Sequence, residues 1–511
     1  MDTGDRTPPI AVAPGGPSRG DTRWHADCVF VLVAIAGLLI ARIPVIPVRV
    51  FDPDEFEHAH AAWSVFRGLL PYRDFFEHHT PWYYFALSPF FGWFAVDQSF
   101  ESAMRFLSFG RALSLLLTAL SVGLLFLVGR LGASSKVGLL AGLFLVAQPV
   151  VIQKTLEIRP DVPALAFFLG GLWWVLRGLQ KQDDDPPTRR LGWFIGGGLC
   201  LGAAIMCTQK MLFVLPGAFA GLGLWALAGG RRTLLRRISA LLMVLAGIAV
   251  PVALTWIAFA VQGAGNQFIY DNFIINSQWR LRSNRHLLVT LETSWPMLVL
   301  CVVGASVAMA HFYRARQRRY GDVLLLCTLG GLIAGIAVVP AAYKQYYLMP
   351  LPIACVFAAK GLVFLVEMAQ ERVRRRLFVG ATVLILIWPG VELKRSFVRR
   401  DDRQTARLRY VFEHTAPADA VLDGWLGTQV FRPHPLHYAF MHRELLAMLS
   451  EADKDAYLGP LESGRVRPAL ITLDDELIAL GPRFLTFLRQ NYVSADGVFY
   501  RPARARTDSR P

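Results

Sequence analysis

The sequence predicts an all-α polytopic membrane protein of about 11 transmembrane helices, completed by a small α/β domain outside the membrane. Three observations lead there. Of 511 residues, 54% are hydrophobic and only 18% charged, with a mean hydropathy of +0.40, too apolar for an ordinary soluble enzyme. The apolar residues come in runs of the length that a hydrocarbon core of about 30 Å demands, about 20 residues per helix. Alternate connections between the runs are basic, as cytoplasmic loops are. Long aperiodic runs of Leu, Val, Ala, Gly and Phe exclude a disordered chain, a collagen and a coiled coil. The six cysteines, Cys28, Cys200, Cys207, Cys301, Cys327 and Cys355, all fall inside apolar runs and behave as small buried hydrophobes rather than as a disulfide scaffold.

Residues 1–27, with Pro8, Pro9, Pro14 and Pro17 among glycines, read as a disordered cytoplasmic tail. Eleven apolar windows follow, near 28–48, 106–129, 137–153, 162–179, 192–208, 211–229, 238–262, 294–313, 323–341, 348–369 and 377–392. The stretch 192–229 is divided because Thr208-Gln209-Lys210 interrupts it. The first window is a retained span rather than a cleaved signal, since no small-residue cleavage motif follows and Arg42 with two prolines closes it. Lys360, inside the tenth window, is expected to snorkel inward. Basic clusters at 130–136, 177–190, 231–237, 314–319 and 372–376 set the orientation. The N-terminus is inside, and 49–105, 154–161, 209–210, 263–293, 342–347 and the chain after about 393 are outside. In 393–511 short alternating runs at 469–473 and 497–500 predict strands, and 443–449 with 482–488 have helical periodicity, hence an α/β domain.

The first outer loop, 49–105, is unusual in a chain of net charge +15. It holds eight acids, Asp52, Asp54, Glu55, Glu57, Asp74, Glu77, Asp97 and Glu101, against the four bases Arg49, Arg67, Arg73 and Arg105. Carboxylates just past a spanning helix sit at a low-dielectric edge where a carboxylate becomes usable as a general base. The plainer reading is a solvated loop in which Asp52 or Asp54 caps a helix beginning near Glu55. Outer cations break the positive-inside pattern at Lys154, Arg159, Lys210, Lys344 and the run Arg280, Arg282, Arg285. Each needs a partner: an anionic headgroup, a lipid-linked phosphate or the acids of the first loop. A divalent cation on Asp52, Asp54, His58 and His60 is a further candidate, although their spacing matches no strong metal signature. The net charge does not point to nucleic acid, because much of the excess is held in the loops that set orientation.

Asp54-Glu55 a few residues after the first span, Gly-Leu-Leu-Pro-Tyr at 68–72 with Arg73-Asp74, His-Thr-Pro-Trp-Tyr-Tyr at 79–84, Arg-Pro-Asp at 159–161 and Tyr-Tyr-Leu-Met-Pro at 346–350 carry a resemblance. Over nearly the whole chain it is similar to the family 39/83-type membrane glycosyltransferases, which include the protein O-mannosyltransferases and the aminoarabinose transferases of lipid A. The resemblance implies a GT-C fold and a sugar donor on polyprenyl phosphate, used at the outer face of the plasma membrane. It implies Asp54 as catalytic base with Glu55 beside it, and Asp161 facing the active site. His79 stands where the aminoarabinose transferases have a Lys before a Pro-Pro pair, and Thr80-Pro81 follows it here, which argues against aminoarabinose as the sugar.

A polyprenyl phosphate leaves readily, so one carboxylate that deprotonates the acceptor hydroxyl of a lipid, glycan or protein suffices for an inverting displacement. Cations then stabilise the departing phosphate. The candidates are Arg159, Lys210, Arg280, Arg282, Arg285 and Lys344, with His79, Tyr83, Tyr346 and Tyr347 as further substrate contacts. Two other classes compete. A transporter or lipid flippase would place ionisable groups near the midplane, whereas these spans are nearly free of acids. A non-catalytic envelope scaffold would have no need of Asp54 and Asp161 together.

Overall fold

The computed structural model describes residues 19–180, 187–228, 230–279, 285–314, 320–340, 342–398 and 402–503. Helix α1, Arg19–Ile40, starts within the stretch expected to be disordered, and residues 1–18 of that expectation lie outside the described residues. Among the described residues ten helices are long and apolar enough to cross a bilayer. After α1 comes α2, Pro53–Phe66, in the 49–105 loop, and then the long span α3, Phe100–Gly132.

The window at 137–153 is the exception to the expected spans. It forms two short helices, α4, Ser135–Ala147, and α5, Pro149–Lys154. Pro149 has no N–H to donate and disfavours helical backbone at the residue before it, so Gln148 is extended at φ −69°, ψ 132° and ends α4. A window average cannot register that break. Its consequence is positional, because the chain turns early and delivers Lys154, Glu157 and Arg159 to one place before α6, Asp161–Gln180, begins.

The division of 192–229 follows expectation. Helix α7, Pro187–Cys207, ends at an extended Thr208, a 3-10 turn over Gln209–Phe213 carries Lys210, and α8, Val214–Leu227, continues. The remaining spans are α9, Arg231–Val261, α10, Arg285–Arg314, α11, Tyr320–Val338, α12, Leu351–Met368, and α13, Glu371–Val398. Apolar side chains gain little by leaving lipid for one another, so close helix contact relies on small residues. At the α10–α12 crossing a Cβ on Gly304 would lie 1.8 Å from the Phe357 carbonyl oxygen, and one on Gly361 would lie 2.2 Å from that of Leu300.

Lys360 does not snorkel. Its ammonium pairs with Asp322 of α11 and lies over the Phe357 ring, so a carboxylate beside the span compensates the charge. The cation-to-ring distance is 5.2 Å.

Helix α14, Asp402–His414, leads into the C-terminal domain. Its four-stranded sheet has the order β1-β2-β4-β3, with β1 at Val421–Asp423, β2 at Leu470–Thr472, β3 at Tyr492–Ser494 and β4 at Phe499–Pro502. Strand β1 runs parallel to β2, pairing Val421 with Leu470, and the other two pairings are antiparallel. The expected strands are β2 and β4. Of the expected helices, one is only the turn Arg443–Leu446, and the other is Pro482–Asn491. The domain is docked on the 49–105 loop. The His437 carbonyl accepts from the Phe76 amide at 2.9 Å, and Arg432 Nη1 donates to the Asp97 carbonyl at 2.9 Å. His60 Nδ1 lies 3.1 Å from the Val430 carbonyl.

Candidate active site

Asp52 caps α2 and accepts from the Asp54 amide, Glu55 returns a bond to the Asp52 amide, and Pro53 opens the helix. Such a capping box fixes the first turn. Successive helical residues then diverge by about 100°. Asp54 turns to a cavity of about 590 Å³, while Glu55 turns away from it and is fully buried. Arg111 of α3 grips Glu55 with two bonds of 2.7 and 2.8 Å, and the Ile158 amide adds a third at 3.2 Å. The expectation that Glu55 works beside Asp54 is corrected by this: its oxygens are committed to holding α2, α3 and the 154–161 segment together.

Arg159 is the hub of the cavity floor. It pairs with Asp54, reaches Glu157 at 2.6 Å, and has Asp52 at 3.6 Å and Asp161 at 3.9 Å. Lys154 bridges Asp52 at 2.7 Å and Glu157 at 3.0 Å, and Arg49 meets Glu157 at 2.9 Å. Burial alone would raise the Glu157 carboxyl, but Lys154, Arg159 and Arg49 outweigh it and hold it below the ordinary carboxylate range. Glu157 was not foreseen. The available signal was an acid two residues before Arg159 in a short, otherwise apolar connection.

Lys210 lines the cavity, accepted by Asp161 Oδ1 at 3.0 Å and lying 4.8 Å from the Tyr346 ring centre. Asp161 itself is 2% exposed and does not line the cavity. Its expected place at the active site becomes a place behind it, orienting Lys210 and Arg159. Lys344 also lines the cavity, donating to Gln153 at 3.3 Å, and Tyr346 lines it too. Tyr83 and Tyr347 do not: Tyr83 packs in the apolar cluster with Phe56 and Phe106, and Tyr347 packs with Ile336 and Ala342. Arg285 opens α10 on an exposed position away from the cavity, where its neighbour His286 lines the wall instead. Arg280 and Arg282 lie outside the described residues.

His79 lines the cavity with His78 and Glu57. His79 Nδ1 is 2.9 Å from Glu77 Oε1, which also accepts both backbone amides of the two histidines at 2.9 Å. Tyr72, at φ 70°, occupies left-handed backbone that costs a side-chain-bearing residue energy. It holds this loop in place by donating its hydroxyl to the His79 carbonyl at 2.8 Å. Burial, with Glu77 and Asp54 adding to it, raises the Glu57 carboxyl well above its ordinary range, and burial lowers His58 and His78. The metal set read from sequence is not assembled. Asp52 and Asp54 are engaged by Lys154 and Arg159, His58 meets the Tyr84 hydroxyl at 3.1 Å, and His60 faces the C-terminal domain. Glu57, Glu77, His78 and His79 come together instead, with one ligand atom of each within 4.8 Å of the others.

The C-terminal domain supplies the remaining wall through Trp425, His442, Arg443, Glu444 and Glu476, and Trp279 bridges the two sides. The His442 ring is 4.9 Å from Trp279 and 5.5 Å from Trp425. Segments assigned to one side of the membrane by their charge therefore meet in one cavity.

The family model for dolichyl-phosphate-mannose-protein mannosyltransferases matches residues 99–256. Among solved structures, ArnT from Cupriavidus metallidurans bound to undecaprenyl phosphate is 14% identical, with 94% of this chain and 99% of that chain covered at a TM-score of 0.62. Its apo state gives 0.65 at the same identity, covering 95% and 98%. The archaeal oligosaccharyltransferase AglB from Archaeoglobus fulgidus, in complex with an inhibitory peptide and a dolichol-phosphate, is 11% identical at 0.60, covering 95% and 75%. The fold is GT-C. No curated protein sequence matches the chain significantly. The resemblance carried by the motifs and the likeness of the whole fold thus converge. Within this GT-C chain the motif residues divide into those on the cavity, Asp54, His79, Arg159 and Tyr346, and those that buttress it, Glu55, Asp161 and Tyr83.

Proposed function

We propose that the protein is an inverting glycosyltransferase that moves a sugar from a polyprenyl phosphate to a hydroxyl of a lipid, glycan or protein, with Asp54 as general base. The observation that carries the reading is Asp54 at the surface of a cavity that Lys210 and Lys344 also line, with Arg159 paired to it. A carboxylate and several cations lining one cavity suit a reaction that takes a proton from a nucleophile and releases a phosphate. The neighbours described as bound to undecaprenyl phosphate and dolichol-phosphate support a lipid-linked donor. Asp161 acts through Arg159 and Lys210, and Glu55 through the fixed first turn of α2. The basic clusters support a plasma-membrane orientation with the N-terminus cytoplasmic and the cavity at the outer face.

Asp54→Asn tests the base. Purified variant protein should keep its elution profile and thermal transition and lose about 10²- to 10⁴-fold in transfer from a polyprenyl-phosphate sugar panel. Full activity would remove Asp54 from the reaction. Mass spectrometry of envelope glycans and glycolipids with and without the gene identifies the sugar and acceptor to use.

A further inference from the structure

Arg42, just past the end of α1, is 1% exposed, and among the described residues no carboxylate pairs with it. Its guanidinium makes two bonds to neutral groups instead. Nη2 donates to the Val146 carbonyl at 2.8 Å, and Nη1 donates to the Thr155 hydroxyl at 3.2 Å. Both partners are fully buried, and they flank α5, Pro149–Lys154, on its two sides. The last carbonyls of a helix lack partners within it. At the end of α4 the Gln148 side-chain amide donates to the Phe144 carbonyl and its backbone N–H to that of Leu145, each at 3.1 Å. Arg42 satisfies the next one, so the break made at Pro149 is closed by a residue 104 positions earlier in the chain. The Thr155 end leads to the cavity. Its hydroxyl donates to the Val151 carbonyl at 2.8 Å, and its own carbonyl accepts from Thr118 at 3.2 Å. Lys154 precedes it, and Glu157 and Arg159 follow, the residues that hold Asp52 and Asp54.

We propose that Arg42 is a positioning residue, whose forked guanidinium clamps the two sides of the α4–α5 break and thereby sets where Lys154, Glu157 and Arg159 stand beneath Asp54. Stability alone is a poor account of it. A buried cation without a carboxylate is costly, its Nε makes no hydrogen bond, and apolar replacement of buried charge is often neutral or stabilising. What an apolar side chain of similar length lacks is the pair of directional bonds, and with them the fixed spacing between Val146 and Thr155. The consequence for turnover rests on the glycosyltransferase reading, whereas the consequence for the 154–161 segment does not.

Two readouts on full-length protein in detergent test the clamp separately from transfer. Hydrogen exchange, followed by mass spectrometry, should quicken about 10-fold in peptides covering 150–161 of Arg42→Met, with the strands of the C-terminal domain unchanged. In transfer from the polyprenyl-phosphate sugar panel, kcat should fall about 10- to 100-fold while KM for the donor stays within about 3-fold. Arg42→Lys keeps the charge without the fork and should behave as Arg42→Met does. Thr155 gives a second route if the Arg42 variants fold poorly: Thr155→Val should reproduce the loss, and Thr155→Ser, which retains the hydroxyl, should restore it. Adding Arg42→Met to Thr155→Val should cost less than the two single losses combined, since both remove one bond. Unchanged exchange at 150–161, normal turnover in Arg42→Lys, or Thr155→Ser as impaired as Thr155→Val would each overturn the proposal. Exchange that responds as expected in a protein whose unmodified form transfers no sugar would uphold the clamp and count against the glycosyltransferase reading alone.

Discussion

The two walls of the cavity are built on different principles. The side built by the 49–105 loop, the 154–161 segment and the turn that carries Lys210 is backed by a lattice of alternating charge, in which Asp52, Lys154, Glu157, Arg159, Asp54, Asp161 and Lys210 are each held by a neighbour of opposite sign. The wall contributed by the C-terminal domain is aromatic and imidazole-rich, with Trp425 and His442 in ring contact and Arg443 and Glu476 loosely paired at 3.8 Å. A cross-paired lattice fixes positions to fractions of an ångström, as a reaction centre requires. Rings present a broad face and few directional demands, which suits holding a ligand. On the glycosyltransferase reading proposed above, the first wall would carry the chemistry and the second would hold the ligand.

The largest effect is expected where the lattice meets the membrane. Arg111→Met leaves Glu55 as an unpaired carboxylate in a fully buried position, and breaking one side of such a pair costs about 3–5 kcal/mol. Folded protein recovered in detergent should fall sharply, measured by fluorescence-detected gel filtration. A variant that is normally folded would show that Glu55 is not the anchor of α2.

On the second wall the expected effect is intermediate and kinetic. Trp425→Ala should raise KM about 10-fold while kcat stays within a few-fold, since it removes ring contact and leaves Asp54 and Arg159 in place. A drop in kcat with unchanged KM would place this wall in the chemistry and erase the distinction.

The smallest effect probes the seam between them. Burial pushes His60 down to about 4 from an ordinary value near 6.5. The unprotonated ring is favoured in the folded state, so its contribution is complete above about pH 6.5 and is lost as the pH falls towards 4. Between pH 6.5 and 5.5 the loss is on the order of 1 kcal/mol. Thermal unfolding at the two pH values should show it, and His60→Gln should flatten the dependence.

Much of the membrane architecture was legible because a bilayer imposes span length whatever the fold. The 137–153 window misled because hydropathy averages across Pro149 and one residue's backbone decides the outcome. The site was legible by segment but not by side chain. Asp54 and Glu55 are neighbours in sequence and face opposite environments, and nothing local says which face of α2 looks inward. Glu55 finds its partner 56 residues later, and Lys360 pairs with a residue 38 earlier. Such pairings are set by helix packing, not by spacing. Glu77, His78 and His79 converge with Glu57 only because the 67–81 loop folds back under Tyr72.

Those two distant ion pairs also bear on how the chain enters the bilayer. A lone arginine or lysine in a spanning helix is costly to insert, about 2.5–3.5 kcal/mol at mid-helix on translocation-based scales. In both pairs the acid is synthesised first, Glu55 before Arg111 and Asp322 before Lys360. Each cation therefore reaches the membrane after its counter-charge has been made, and assembly during synthesis can neutralise it on arrival. A chain started after the first outer loop would send Arg111 in alone.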